Sequence, residues 1–78
     1  MKKIKIRLKD IEAVKTFVNA ANLYPFEIDL LTGRYIIDAK SIMGVLSLDL
    51  SQPIEMVIHT EQCEELVESI REFILEEK

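Results

Sequence analysis

Residues 40–48 read Lys40-Ser41-Ile42-Met43-Gly44-Val45-Leu46-Ser47-Leu48. A serine followed by a short apolar run predicts a brief helix that begins after Ser41. The Ser41 hydroxyl can accept a hydrogen bond from a first-turn amide, which otherwise lacks a partner within the helix. The stretch therefore predicts a short, serine-capped helix.

The apolar residues of this short helix do not share one side. At about 100° per residue, Val45 and Leu48 fall on one side, Met43 and Leu46 on roughly the opposite side, and Ile42 between them. A helix of about two turns that lies on a core can bury only one side. The other is then an exposed apolar cluster of the kind that usually binds a partner. The alternative is an ordinary buried segment whose second side is covered by a neighbouring loop.

Composition indicates one soluble domain that spans residues 1–78. The chain is 49% hydrophobic and 31% charged, which excludes disorder and fits a single compact core. Cys63 is the only cysteine, so a disulfide within the chain is excluded and a cytoplasmic location is expected. The net charge of −4 argues against direct nucleic-acid binding, and no apolar run approaches the ~20 residues that cross a membrane.

Four strands are expected from alternating apolar and polar residues. The first contains Ile4, Ile6 and Leu8, which alternate with basic residues. The second and third, at about 26–31 and 35–38, form a hairpin around Gly33, which can adopt positive φ without steric cost. The fourth covers about 54–58.

Two long amphipathic helices are expected at the places where the apolar period changes. Asp10 is the predicted N-cap of the first, which ends at Asn22, and Thr60 is the predicted N-cap of the last. The first buries Ile11, Val14, Phe17 or Val18, and Ala21; the last buries Cys63, Leu66, Val67, Ile70 and Ile74. The order β-α-β-β-α-β-α predicts an α+β fold in which the helices cover one face of a four-stranded antiparallel sheet.

Residues 40–48 closely resemble the regulatory-serine segment of HPr, the small histidine-containing phosphocarrier family of the bacterial sugar phosphotransferase system. Chain length and element order agree with that family across nearly the whole chain. The resemblance implies an HPr-like open-faced β-sandwich. It also implies that Ser41 is phosphorylated and that Lys40, Ile42, Met43 and Leu46 bind partner proteins.

The second signature of the family is missing. HPr-like carriers hold a phosphoryl group on a histidine within a run resembling Gly-Ile/Leu-His-Ala-Arg-Pro, in the loop before the first helix. Here the corresponding stretch is Lys9-Asp10-Ile11-Glu12-Ala13, which has no histidine or arginine and belongs to a shorter loop; gapless counting places Asp10 at the histidine position. His59, the only histidine, is predicted to be an exposed residue at the end of the fourth strand. The combination is similar to Crh-like members of the family, which lack the histidine and keep the serine segment.

The resemblance therefore implies a non-enzymatic regulatory protein of carbon catabolite control, with no catalytic residue, cofactor or metal. Its implied partners are HPr kinase/phosphorylase and a catabolite-control transcription regulator. Two alternatives stay open: an interaction module that has drifted away from sugar regulation, and a divergent carrier that uses Asp10. Cys63 is interpreted as a small core residue rather than a nucleophile. The short loop before the first helix also favours a strand-swapped homodimer.

Overall fold

The computed structural model describes residues 1–75, and its elements follow the predicted order. They are β1 (Lys2–Ile6), α1 (Ile11–Ala21), β2 (Ile28–Thr32), β3 (Tyr35–Asp38), α2 (Ile42–Leu46), β4 (Ile54–Ile58), α3 (Glu64–Ser69) and a single 3₁₀ turn (Arg71–Phe73). The strands form one antiparallel sheet in the order β1-β4-β2-β3. The architecture confirms the predicted HPr-like α+β fold.

The two faces of the sheet have different residues because side chains alternate along each strand. Met56 lies in the middle of β4, opposite Ile4 on one side and Leu30 on the other. Met56 and Leu30 are fully buried, and this face carries the core. The opposite face presents Lys5 and Glu55, which lie opposite each other on β1 and β4. The sheet is therefore covered by apolar side chains on one face and open on the other.

Helix α1 begins and ends where its capping residues predict. The Ala13 N–H donates to Asp10 Oδ1 at 2.8 Å, and Asn22 follows the last helical residue. One detail of the predicted stripe is wrong, because Ile11 is 57% exposed. The buried stripe begins at Ala13 and Val14, so Ile11 in the first turn lies outside the core.

The last helix is much shorter than predicted, and Thr60 is not its N-cap. Thr60 Oγ1 instead accepts from the Gln62 N–H at 3.2 Å, and α3 begins after Cys63, whose side chain makes no capping hydrogen bond. The helix ends at Ser69, although Cys63 and two residues of its predicted stripe, Leu66 and Ile70, are buried.

Tertiary contacts explain this early end. The Phe73 ring packs edge-on against Phe17 at a centroid distance of 6.4 Å. Beyond it Ile74 forms a β-bridge with Ile6, and the Leu75 N–H donates to the Lys5 carbonyl at 2.9 Å. The chain leaves the helix to pair with the outer edge of β1, so Ile74 lies beside a strand and not in a helical stripe.

Strand β2 begins two residues later than predicted, at Ile28 instead of Phe26. The Phe26 ring stacks on Tyr24 at 5.5 Å, inside the connection from α1. The ring contact holds this residue in the loop. The hairpin that follows has the predicted turn, in which Gly33 has φ of 57°.

Candidate functional site

The short helix α2 begins at Ser41, as its sequence predicts. Ser41 has extended backbone angles, and its Oγ accepts from the Gly44 N–H at 3.2 Å. Its own N–H donates to the Asp38 carbonyl at 3.0 Å, while Asp38 Oδ1 accepts from the Lys40 N–H at 2.9 Å. The end of β3 and the start of α2 are therefore joined by a tight turn that fixes the Ser41 side chain at the surface.

Asn22 and Lys40 hold this turn against α1 through contacts that the sequence did not predict. Asn22 Nδ2 donates both to the Val18 carbonyl at 2.9 Å and to the Lys40 carbonyl at 3.1 Å. Lys40 Nζ donates to the Tyr24 carbonyl at 2.6 Å. The Lys40 ammonium is thus engaged with the connection after α1, and its aliphatic stem is half-buried. The sequence offered one indication of these contacts, the side-chain amide of Asn22 at the position that ends α1.

The two sides of α2 differ in exposure, as the helical wheel predicts. Val45 is fully buried, whereas Met43 is 76% exposed and Ile42 and Leu46 are 36% and 37% exposed. The alternative in which the whole segment is buried is wrong. We call Ile42, Met43 and Leu46 the α2 patch; Ser41, which is also exposed, lies at its N-terminal end.

Gly44 brings α2 unusually close to β3. A Cβ atom at Gly44 would lie 2.9 Å from Cγ2 of Ile37 and 3.3 Å from Ser41 Oγ. Only a residue without a side chain allows this approach. Burial of Val45 and the contact at Gly44 therefore leave the α2 patch as the outward surface of the helix.

Asp49, three residues after the end of α2, places a negative charge near the C-terminus of that helix. Its Oδ1 accepts from the Ser51 hydroxyl at 2.6 Å and from the Ser51 N–H at 3.0 Å. These two hydrogen bonds, the hydroxyl first, lower the pKa of Asp49 below its ordinary value. The surroundings of α2 are therefore apolar at Met43 and anionic at Asp49.

Asp10 lies in a separate, shallow cleft of about 210 Å³ at the start of α1, whose charged lining residues besides Asp10 are Lys9, Glu12 and Glu72. One oxygen of its carboxylate accepts from the Ala13 N–H, and two further carboxylates share the cleft. The connection between β1 and α1 comprises residues 7–10. The geometry is that of a capped helix start beside acidic groups.

Neither His59 nor Cys63 lines the cleft around Asp10. His59 Nε2 is 2.9 Å from Asp29 Oδ2, with about a third of each side chain exposed, 34% and 33%. Cys63 is buried. Within residues 1–75, no group of three or more His, Cys, Asp or Glu side chains is arranged to hold a metal ion. None of the helices described is both long and apolar enough to span a bilayer.

Comparison with known proteins extends these observations. The family model described as "PTS HPr component phosphorylation site" matches residues 10–76. No curated protein matches significantly. Among solved structures, HPr-C-His from Thermoanaerobacter tengcongensis is 25% identical and superposes with a TM-score of 0.76, covering 92% of this chain and 89% of its own.

Two other structures illustrate the range of relatives. The histidine-containing phosphocarrier protein of a mycoplasma is only 14% identical, yet it has a TM-score of 0.73 over 91% of this chain and 89% of its own. Crh, the catabolite repression protein of Bacillus subtilis, is 25% identical, with a TM-score of 0.64 over 94% of this chain and 90% of its own. Its structure was described as a swapped, intertwined dimer.

Proposed function

This chain belongs to the HPr family of the phosphotransferase system, and on that premise we propose that it is a non-catalytic regulatory protein that binds partners through the α2 patch. The observation that carries the proposal is the exposure of Met43, at 76%, beside an exposed Ser41. Exposed apolar clusters on small proteins mark interaction surfaces. A cytoplasmic setting fits a chain whose single cysteine is free.

The absence of a histidine at the start of α1 supports a regulatory role over a carrier role. A carrier needs a nucleophile that can receive and release a phosphoryl group, and His59 is paired with Asp29 on the open face of the sheet. Asp10 has less support as a substitute, because its carboxylate already caps α1, and its cleft holds two further carboxylates, Glu12 and Glu72, beside one cation, Lys9. Neighbouring carboxylates repel an incoming phosphate.

Phosphorylation of Ser41 would act as a switch on the α2 patch. The phosphoryl group adds a charge of about −1.5 to −2 next to the first-turn amides, one of which, at Gly44, already points at Ser41 Oγ. At an exposed site this interaction is worth about 0.3–1 kcal/mol, too little to change the fold. The new charge would alter the field beside Ile42 and Met43, so a bound partner would detect it more strongly than the domain itself.

HPr kinase/phosphorylase with ATP tests the switch. We expect the intact mass of the wild type to increase by one phosphoryl group, and Ser41→Ala to remain unmodified. Ser47→Ala is the matched control, because Ser47 is an exposed serine at the other end of the same helix. An unmodified wild type, or a modification that survives Ser41→Ala, would count against the switch.

Binding to a catabolite-control transcription regulator tests the surface. Met43→Lys changes the most exposed residue of the α2 patch without touching the core. We expect it to weaken binding of the phosphorylated protein, whereas Leu23→Lys, at a site that is 79% exposed outside the patch, should not. No binding by any of the three proteins would favour the drifted interaction module over the regulator, and equal binding by all three would contradict the α2 patch as the binding surface.

A strand-swapped homodimer, as described for Crh, is a further part of this proposal. Exchange would require β1 to separate from β4 of its own copy. It would also break two hydrogen bonds between this part of the chain and the C-terminal segment, from the Arg7 N–H to the Phe73 carbonyl at 2.8 Å and from the Leu75 N–H to the Lys5 carbonyl at 2.9 Å. The short connection of residues 7–10 favours exchange, because a tight hinge loop loses its strain when it extends to place β1 on a second copy. Slow interconversion of monomer and dimer in size-exclusion chromatography supports it; a monomer throughout contradicts it.

A further inference from the structure

The outer edge of β3 is exposed. Of the strands formed by residues 1–75, only β2 pairs with β3, and the sheet ends there. Tyr35 and Ile36 on this edge are 69% and 70% exposed. Natural proteins usually protect such an edge with charges, proline, a bulge or a covering segment, because free backbone groups recruit another strand. Along β3 and the turn residue before it, the charged residues, Arg34 and Asp38, lie only at the two ends, and the exposed residues between them are aromatic and β-branched, which suits the edge to pairing.

The hairpin geometry determines which backbone groups point outward. Thr32 and Tyr35 are opposite each other across a two-residue turn, and Leu31 is opposite Ile36. In a two-residue hairpin the pair that closes the turn is hydrogen-bonded, so the next pair directs its amide and carbonyl away from the partner strand. The N–H and C=O of Ile36 therefore face the free edge and can pair with the same groups of a second strand.

The sequence around Ile36 is complementary to itself. When two copies of β3 meet antiparallel with Ile36 opposite Ile36, Tyr35 lies opposite Ile37, and Arg34, the turn residue that precedes β3, comes opposite Asp38 of the other copy. Arg34 and Asp38 are both exposed. Opposite charges that face each other on neighbouring strands stabilise the pair, whereas like charges destabilise it. In this register Arg34 and Asp38 of each copy both lie opposite a residue of opposite charge in the other copy.

We propose that the β3 edge binds a second copy of this chain, so that two four-stranded sheets join into one across a two-fold axis. Because side chains alternate along β3, Ile36 and Asp38 lie on the open face, whereas Tyr35 and Ile37 lie on the helix side. The proposal is independent of the regulatory function and of exchange of β1, which occupies the far edge of the sheet.

A cleft on the helix side adds a place for the Tyr35 ring of the second copy. The cleft has a volume of about 540 Å³ and is lined by Tyr35, Ile37 and Leu48, together with Thr32, Gly33, Ser47 and Asp49. In the proposed register, Tyr35 of the second copy is opposite Ile37, one of the apolar walls. An aromatic ring with a polar tip fits a surface that is apolar at Leu48 and anionic at Asp49.

Complementary charge reversal tests the register. Arg34→Glu and Asp38→Lys each place like charges opposite one another in a homodimer, but a mixed pair of the two variants restores both opposite-charge contacts. In sedimentation equilibrium we expect the wild type to self-associate weakly, as a small interface should. Each variant alone should associate at least about tenfold more weakly, and an equimolar mixture should regain the wild-type affinity as a heterodimer.

Ile36→Lys is the second variant, needed because Asp38 Oδ1 also accepts from the Lys40 N–H and its replacement could loosen α2. Lysine at this exposed position should abolish association while the circular dichroism spectrum stays native. Leu23→Lys, 79% exposed and outside β3, is the matched control and should associate as the wild type does. A wild type that stays monomeric at its highest soluble concentration, association that survives Ile36→Lys, or a mixture no tighter than its components would each overturn the proposal.

Discussion

Replacing Gly44 by alanine sets a gain in helix propensity against a steric contact with Ile37. In a helix interior alanine is about 1 kcal/mol more favourable than glycine, so propensity alone predicts a more stable protein. The new methyl group, however, would lie 2.9 Å from Cγ2 of Ile37. Carbon atoms pack favourably from about 3.5 Å, so roughly 0.6 Å must be opened between α2 and β3.

The steric cost should exceed the gain in propensity. Cγ2 of Ile37 is attached at the β-carbon and cannot swing away as the end of a long side chain would. Inserting a methyl group into such a contact costs about 1–3 kcal/mol. Ile37 is half-buried and can yield a little, which places the steric cost near the middle of that range, at about 2 kcal/mol, against the gain of about 1 kcal/mol in propensity. We expect Gly44→Ala to lower the free energy of unfolding by about 1 kcal/mol and the Tm by about 4–8 °C.

A double-mutant cycle with Ile37→Leu isolates the contact. Leucine lacks the methyl group at the β-carbon, so Gly44→Ala in that background should cost nothing or stabilise the fold by up to about 1 kcal/mol. Urea unfolding with an unchanged m-value measures all four proteins. Equal effects of Gly44→Ala in both backgrounds, or stabilisation in the wild type, would refute the close approach of α2 to Ile37.

Three further predictions concern caps, charge and the C-terminal contact. Ser51→Ala should raise the pKa of Asp49, which an NMR titration measures. Because the pKa of Asp49 is lower in the folded protein than in the unfolded chain, the carboxylate stabilises the fold at any pH above its unfolded-state pKa. This stabilisation is lost as the pH falls through the folded-state pKa. Asp10→Ala should cost about 0.5–2 kcal/mol in urea unfolding through the lost cap, and Asp10→Asn much less. Phe73→Ala should cost about 3–5 kcal/mol, whereas Leu23→Ala, exposed and without such packing, should change little.

Local signals explain what the sequence could predict. The caps at Asp10 and Ser41 and the turn at Gly33 each depend on residues within four positions of one another. The exposed side of α2 also followed from local sequence, because a short helix with apolar residues all round cannot bury Met43 and Val45 together. Such features need no knowledge of distant contacts.

Contacts between distant residues explain what the sequence could not predict. The last helix has the apolar spacing of a longer helix, yet it ends at Ser69 because Phe73 packs on Phe17 and the next residues pair with β1. The bridge from Asn22 to Lys40 joins positions 18 residues apart. The donor, Asn22, could be identified from the sequence as the residue that ends α1. The acceptor is the backbone carbonyl of Lys40, and every residue has such a carbonyl, so the sequence does not indicate it.

Under the proposed regulatory function, the cap at Asp10 takes the place that a carrier site would need. A phosphoryl group held at the start of α1 would need the first-turn amides, and here the Asp10 carboxylate already accepts from one of them, at Ala13. A cap of this kind stabilises the helix by about 0.5–2 kcal/mol at all times, whereas a histidine must leave the amides free for a transient ligand. If the chain is the regulator proposed above, the residue at this position therefore strengthens α1 where a carrier would hold a phosphoryl group. Selection for binding at the α2 patch alone would favour such an exchange, because Met43 and Ser41 belong to a different helix.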